Sequence, residues 1–247
     1  MDWIAGLRHE LTTSLAFLTR LPIRVEMPLP LAAASRGFPL AGALIGGIAA
    51  AALALASWLG IPALPAALLA IGTGIAATGA LHEDGLADSA DGLFSSASRG
   101  RVLEIMRDSR IGTFGALALI LSLGLRASAL SVLVDGAAAL VAVHAMSRAW
   151  LPWLMRNGSL ARADGLAVAA GKPEGDAVLW AVGLGLVVAM IAIGIGPALL
   201  AAAVSAACAL GVAALARQRL GGYTGDTLGA AEQAAEIGAL LALTTLL

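Results

Sequence analysis

Four carboxylates, Glu83, Asp84, Asp88 and Asp91, fall within nine residues of the stretch TGALHEDGLADSADGLFSS, Thr78 to Ser96. If a helix continues past Leu81, Asp84, Asp88 and Asp91 stand at i, i+4 and i+7 and share one face, while Glu83 points off it. Three like charges on one face repel one another, and a divalent cation is the simplest compensation. A set of hard oxygen donors, with no cysteine and one adjacent histidine, His82, favours Mg²⁺, with Mn²⁺ as the alternative, over zinc. The cluster spans ~10 Å of helix axis, room for one ion or a close pair, and Glu83 is kept as a fourth candidate ligand. Solvation of a helix end is the competing reading. Against it, this is nearly the only acidic cluster in the chain, and Asp-Gly occurs twice in it, at 84 to 85 and 91 to 92. Glycine beside two carboxylates permits close approach of a ligand.

The next polar stretch, RVLEIMRDSRIGTFGALAL from Arg101 to Leu119, brings fixed cations at Arg107 and Arg110. Guanidinium forks suit phosphate oxygens, so carboxylate-held metal beside arginines is an arrangement for a polyphosphate ester. Their competing role is to anchor the chain's topology. Asp226 in YTGDTLG could complete the metal shell, bind a nucleotide or cap the following helix. Glu232 and Glu236, four apart, are expected near a membrane surface, where a solvated face is cheap. His144 and Arg148 share a helix face; packing is expected of His144, and Arg148 points toward the site and joins the substrate-binding candidates. Arg126 has Asp135 as its expected partner, and Gly42 and Gly46 form a small-xxx-small pair for close helix contact within or between chains.

The elements that must position these groups lie in a membrane. Sixty percent of the 247 residues are hydrophobic and 13% are charged, with a mean hydropathy of +0.91, far from a soluble domain. The net charge of -1 gives no reason to expect nucleic acid, and the single cysteine, Cys208, forms no internal disulfide. Seven apolar segments, each near the ~20 residues that cross a bilayer core, run from Phe38 to Leu59, Ile61 to Leu81, Gly112 to Val134, Ala137 to Leu154, Ala177 to Ile195, Pro197 to Ala216 and Gly229 to Leu247. The turns GIP at 60 to 62, DG at 135 to 136 and GP at 196 to 197 make hairpins of them. Thirteen of the 15 Lys and Arg lie on the side opposite these turns, which makes that side cytoplasmic, the N-terminus with it. Trp3, Leu7, Leu11, Leu15 and Leu18 recur at helical spacing, as in a helix lying on the membrane surface or packed on protein. Because Arg8, His9 and Glu10 interrupt it, this start is not a cleavable signal. The expected fold is thus all-α: a polytopic integral membrane protein of about seven transmembrane helices with an N-terminal amphipathic interfacial helix. It forms one domain, 1–247, with a cytoplasmic N-terminal segment, 1–37, and an acidic active-site loop, 82–111.

Five blocks in order, FLTRLP (17 to 22), GFPLAGALIGG (37 to 47), TGALHEDGLADSADGLF (78 to 94), LEIMRDSRIGTFGALAL (103 to 119) and GGYTGDTLGAAEQAAE (221 to 236), strongly resemble the cobalamin synthase family of adenosylcobinamide-GDP ribazoletransferases. The resemblance covers almost the whole chain and implies a bacterial inner-membrane enzyme. Its reaction is attack by a ribose hydroxyl of α-ribazole, or of its 5'-phosphate, on the cobinamide-linked phosphorus of adenosylcobinamide-GDP, with GMP leaving. On that chemistry Asp84, Asp88 and Asp91 hold Mg²⁺ on the pyrophosphate and Arg107 and Arg110 its outer oxygens. One carboxylate stays free as general base, Asp91 first and His82 its competitor. The segment Asp84 to Asp88 is also similar to the membrane CDP-alcohol phosphotransferases, whose motif begins Asp-Gly-x-x-Ala-Arg. Here Asp88 stands at the Arg position and the spacing differs, which argues against a phospholipid synthase. A small transporter is the reading from another class, but its acids would be expected at the midplane. The partners implied are the two small-molecule substrates and the lipid bilayer, no nucleic acid, with a homo-oligomer left open.

Overall fold

The computed structural model describes residues 3–25 and 28–247. Twelve α-helices and one 3-10 turn, Ser35–Gly37, are found among them. They are α1 (Trp3–Leu18), α2 (Leu31–Ala34), α3 (Phe38–Trp58), α4 (Ala63–Thr78), α5 (Leu81–Leu93), α6 (Arg99–Ile105), α7 (Thr113–Val132), α8 (Gly136–Asn157), α9 (Leu166–Ala170), α10 (Gly175–Ile193), α11 (Ile195–Leu220) and α12 (Gly225–Thr244). All seven apolar segments are helical. By length and apolarity α2 to α3 taken as one run (Leu31–Trp58), α7, α10 and α11 suffice to cross a membrane, and a fifth crossing is added if α4 and α5 form one broken span. The protein is an all-helical membrane protein, but these criteria return four or five spans rather than seven. The difference lies in α8 and α12, of 22 and 20 residues, whose interior carries polar side chains that other helices enclose.

α8 is the hub, packed on α3, α10 and α12. Its contact with α3 is backbone to backbone. A Cβ at Gly42 would overlap the His144 carbonyl, and one at Gly46 would stand 2.8 Å from the Val141 Cα. The small-residue pair therefore serves a contact within the chain. The turn at 60 to 62 lies between helices, and Asp135 and Gly136 stand at the start of α8, close to where the sequence puts the second turn. The third break falls two residues early, at Gly194 with φ of 82°, and Pro197 sits in the first turn of α11, where its missing N–H costs nothing.

The acidic stretch is not a loop. Gly79 and Ala80 both adopt left-handed backbone, at φ of 65° and 59°, which ends α4 and turns α5 away from it by 92°. Alanine pays a steric penalty at such an angle and glycine does not. The new direction lays α5 against α7 and α12. α1 docks by a face of its own: Ser14 Oγ donates to the Ala34 carbonyl at 2.7 Å, Leu18 is buried, and Arg36 bridges Glu10 to Asp176 of α10. Leu7 remains exposed. Trp3's side chain lies outside the described residues. The helix thus packs on protein along one face and keeps part of its apolar stripe outward.

Candidate active site

The basic loops are tied together at one end of the bundle. Arg99 donates to the Ala161 carbonyl at 3.0 Å, Arg219 to the Ser95 carbonyl, and Arg107 to both oxygens of Asp164 at 2.5 and 2.7 Å. Backbone pairing joins 159–161 to Tyr223: Tyr223 N–H donates to Ser159 O at 2.8 Å and Ala161 N–H to Tyr223 O at 2.9 Å. The same pairing sets Arg162 beside Asp226, 3.5 Å apart.

α5 meets the start of α12 at Gly85, where a Cβ would stand 2.7 Å from the Asp226 carbonyl oxygen. The side chain is missing there so that protein backbone can approach, a correction to the sequence reading, which reserved the room for a ligand. As a result Asp84 and Asp226 border one cavity, and Asp88 lies within electrostatic reach of Asp84, Asp226 and Asp91, with Arg162 the opposing cation. Asp226 does not cap α12. Thr224 does, in a reciprocal pair with Thr227, and its hydroxyl also donates to Asp226 at 3.1 Å. Burial pushes the Asp226 carboxyl up, and Arg162 pulls it back. The donor set fits Mg²⁺: Asp84 and Asp226 share a cavity with Arg162, and Asp88 lies within electrostatic reach of both and of Asp91. Among the described residues no three of these aspartates bring ligand oxygens within 4.8 Å of one another, so closing them on one ion takes side-chain rotation.

Other assignments shift. Asp91 accepts backbone N–H bonds from Gly112 at 2.7 Å and Gly115 at 2.8 Å, so it caps α7 and each of its oxygens is engaged. That weakens it as general base and leaves Asp88 the better placed carboxylate. Arg107 is paired with Asp164. Arg110 forks onto Asp108 at 2.6 to 3.2 Å, which holds the Asp108 carboxyl at about 2; both arginines are exposed. His82, Glu83 and Arg148 lie in a second cluster instead. Arg148 meets Glu232 at 2.7 Å, His144 Nδ1 at 3.0 Å and His82 Nδ1 at 3.4 Å. Arg126 joins Glu83 at 3.2 Å and Glu236 at 3.1 Å, not Asp135. Glu232 and Glu236 are fully buried, which overturns their reading as a solvated face. The reason is reach: α12 carries Glu236 ~16 Å along its axis beyond Gly225, into the middle of the bundle. His144 is part of this network and not mere packing.

Ligand atoms of His144, Glu232 and Glu236 do lie within 4.8 Å of one another. Both carboxylates are already charge-matched by guanidinium groups, Glu232 by Arg148 and Glu236 by Arg126, although Glu236 Oε2 is buried without a hydrogen-bond partner. The cluster reaches α5 through His82 and Glu83. Arg162, on the site itself, is the residue the sequence reading passed over; it carries a buried Nη1 with no hydrogen-bond partner.

The profile of the cobalamin-5-phosphate synthase family matches residues 10–244. The chain belongs to that family. Family members with similar sequences include proteins named adenosylcobinamide-GDP ribazoletransferase from Bradyrhizobium diazoefficiens, 45% identical over 97% of this chain and 95% of the relative, and Allorhizobium ampelinum, 43% identical over 95% of each. One from Brucella canis is 43% identical over 96% of this chain and 97% of its own. No solved structure matches the chain. Family membership extends over both clusters, from α1 to α12.

Proposed function

We propose that the protein closes the nucleotide loop of cobalamin: adenosylcobinamide-GDP and α-ribazole, or its 5'-phosphate, give adenosylcobalamin, or its 5'-phosphate, and GMP. The observation that supports the site is the gathering of Asp84, Asp88 and Asp226 about Arg162, with Asp91 beside Asp88, at the basic end of the bundle. Family membership favours this transferase over a CDP-alcohol phosphotransferase or a transporter.

In the reaction the ribose hydroxyl oxygen bonds to the cobinamide-linked phosphorus, the bond from that phosphorus to the bridging oxygen breaks, and GMP leaves with the bridging oxygen. Asp84 and Asp226, with one oxygen of Asp88, would hold Mg²⁺, which leaves the other Asp88 oxygen free. When bound, the ion screens the pyrophosphate charge that would otherwise repel the attacking oxygen. Asp88 takes the hydroxyl proton. Arg162 offers its unpartnered Nη1 to a phosphate oxygen, while Arg107 and Arg110 stay engaged with Asp164 and Asp108. Asp91 keeps α5 fixed to the start of α7, and the buried network keeps His82 and Glu83, and so the first turn of α5, in place. The basic end faces the cytoplasm of a bacterial inner membrane.

The test is GMP formation by purified protein from adenosylcobinamide-GDP, with and without α-ribazole and with and without Mg²⁺. GMP only in the complete mixture is expected. Release of GMP that ignores α-ribazole would indicate a hydrolase instead.

A further inference from the structure

Below Asp84 and Asp226 lies a cavity of ≈ 160 Å³ whose wall is apolar: Phe17 of α1, Phe38 of α3, Leu81 of α5, Leu151 and Met155 of α8, and Leu166 of α9 contribute to it. The polar side chains that reach it are His82, Asp84, Arg162 and Asp226. Asp84 is exposed, which marks the side open to water, and His82 is buried against Arg148 and Glu232. The chemistry above uses the polar groups at its mouth and leaves the apolar wall unused.

We propose that the cavity takes the aromatic base of the incoming nucleoside, and that its apolar wall makes the protein selective for a benzimidazole over a purine. This assignment rests on the reaction proposed above. Two comparisons single out this occupant. A cavity of about 150 Å³ lined by aliphatic and aromatic groups is known to hold benzene, so 160 Å³ suits one flat ring system standing partly in the mouth; a corrin macrocycle is far too large. Guanine, the base on the other substrate, carries donors and acceptors along its edges that this wall would leave without partners, a penalty that rejects polar bases. A benzimidazole is flat, uncharged and poor in hydrogen-bonding groups. With it inside, the attached ribose emerges beside Asp84, Asp88 and Asp226, where its hydroxyl must lose a proton.

The experiment measures GMP release by wild-type protein in detergent with adenosylcobinamide-GDP saturating and the nucleoside varied. α-Ribazole should show a kcat/KM at least about tenfold above that of the α-linked adenine nucleoside. Equal values overturn the proposal without any variant. Two substitutions then locate the preference. Ala167→Phe, which fills the cavity from α9, should raise the KM for α-ribazole about tenfold and leave the KM for adenosylcobinamide-GDP within about twofold. Met155→Gln, which adds an amide to the wall, should narrow the benzimidazole-to-adenine ratio by about tenfold. If Ala167→Phe raises only the KM for adenosylcobinamide-GDP, the cavity belongs to that substrate. If both KM values and the base ratio stay at wild-type levels in both variants, the cavity holds neither. Absence of GMP from wild type with every nucleoside is a separate result: it removes the transferase reading and this assignment with it.

Discussion

At the scale of single residues, the carboxylates around Arg162 divide by what already holds them. Asp84 is exposed and Asp88 half-buried, with no backbone partner for either side chain among the described hydrogen bonds, while Asp91 caps α7 through two N–H groups. Asp84→Asn or Asp88→Asn keeps size but removes the charge that balances a divalent cation, and each should slow GMP release about a thousandfold, ~4 kcal/mol of transition-state stabilisation. Both should also shift the Mg²⁺ requirement upward; wild-type rates at the same Mg²⁺ would remove these residues from the metal site. Ser89→Ala is the control, since the buried Ser89 Oγ has no partner to lose, and it should be silent in the same titration. Arg162 and Arg107 separate in a second comparison. Arg162→Lys keeps charge but loses the planar fork that reaches Asp226, so kcat/KM should fall at least about tenfold, whereas Arg107→Lys, at an exposed pair worth little, should stay within about threefold of wild type in the same GMP assay.

Among the elements, close backbone packing and the buried ion network carry the support. Gly42→Val drives a branched side chain into the His144 carbonyl, forcing α3 and α8 apart. A loss of about 1–3 kcal/mol or more is expected, seen as earlier thermal unfolding in detergent. Arg126→Met deprives Glu83 and Glu236 of their shared guanidinium, and breaking a buried pair from one side costs about 3–5 kcal/mol. The double change of Arg126→Met with Glu236→Gln should recover part of it in the same unfolding measurement. The helices were legible in the sequence because apolar runs of ~20 residues have few other meanings in a chain this hydrophobic. The bend at Gly79 and Ala80 was not. A single left-handed glycine announces itself, but an alanine in that conformation is imposed by tertiary packing and leaves no local mark. The partnership of Glu232 and Glu236 with Arg148 and Arg126 was half visible: the two acids stand at i, i+4 on α12, but their arginines sit on two other helices, α8 and α7, and only the packing of the bundle shows that they face one another.

For the molecule as a whole, the loops carrying thirteen of the 15 basic residues meet at one end. Cysteines placed near Arg101 and Lys172 should therefore label together, and in intact spheroplasts neither should react with an impermeant reagent. Labelling of either from the periplasmic side would overturn the cytoplasmic placement. The aspartate half of the site was legible from spacing and charge, because a run of like charges next to apolar sequence demands a partner. Arg162 was not, since its place beside Asp226 depends on a backbone bridge between Ser159–Ala161 and Tyr223, segments separated by two long helices.

The buried network also sets a schedule for biogenesis. Arg148 leaves the ribosome 84 residues before Glu232, so during synthesis α8 meets the bilayer with a cation whose counter-charge does not yet exist. An arginine at mid-membrane costs about 2.5–3.5 kcal/mol on insertion scales, so α8 gains a stable place only when α12 arrives. Arg126 is better provided for, because Glu83 precedes it. The final helix therefore acts as the latch of assembly, and nascent chains arrested before Glu232 should remain extractable from the membrane or open to proteolysis around α8, while chains extended past Glu236 become resistant.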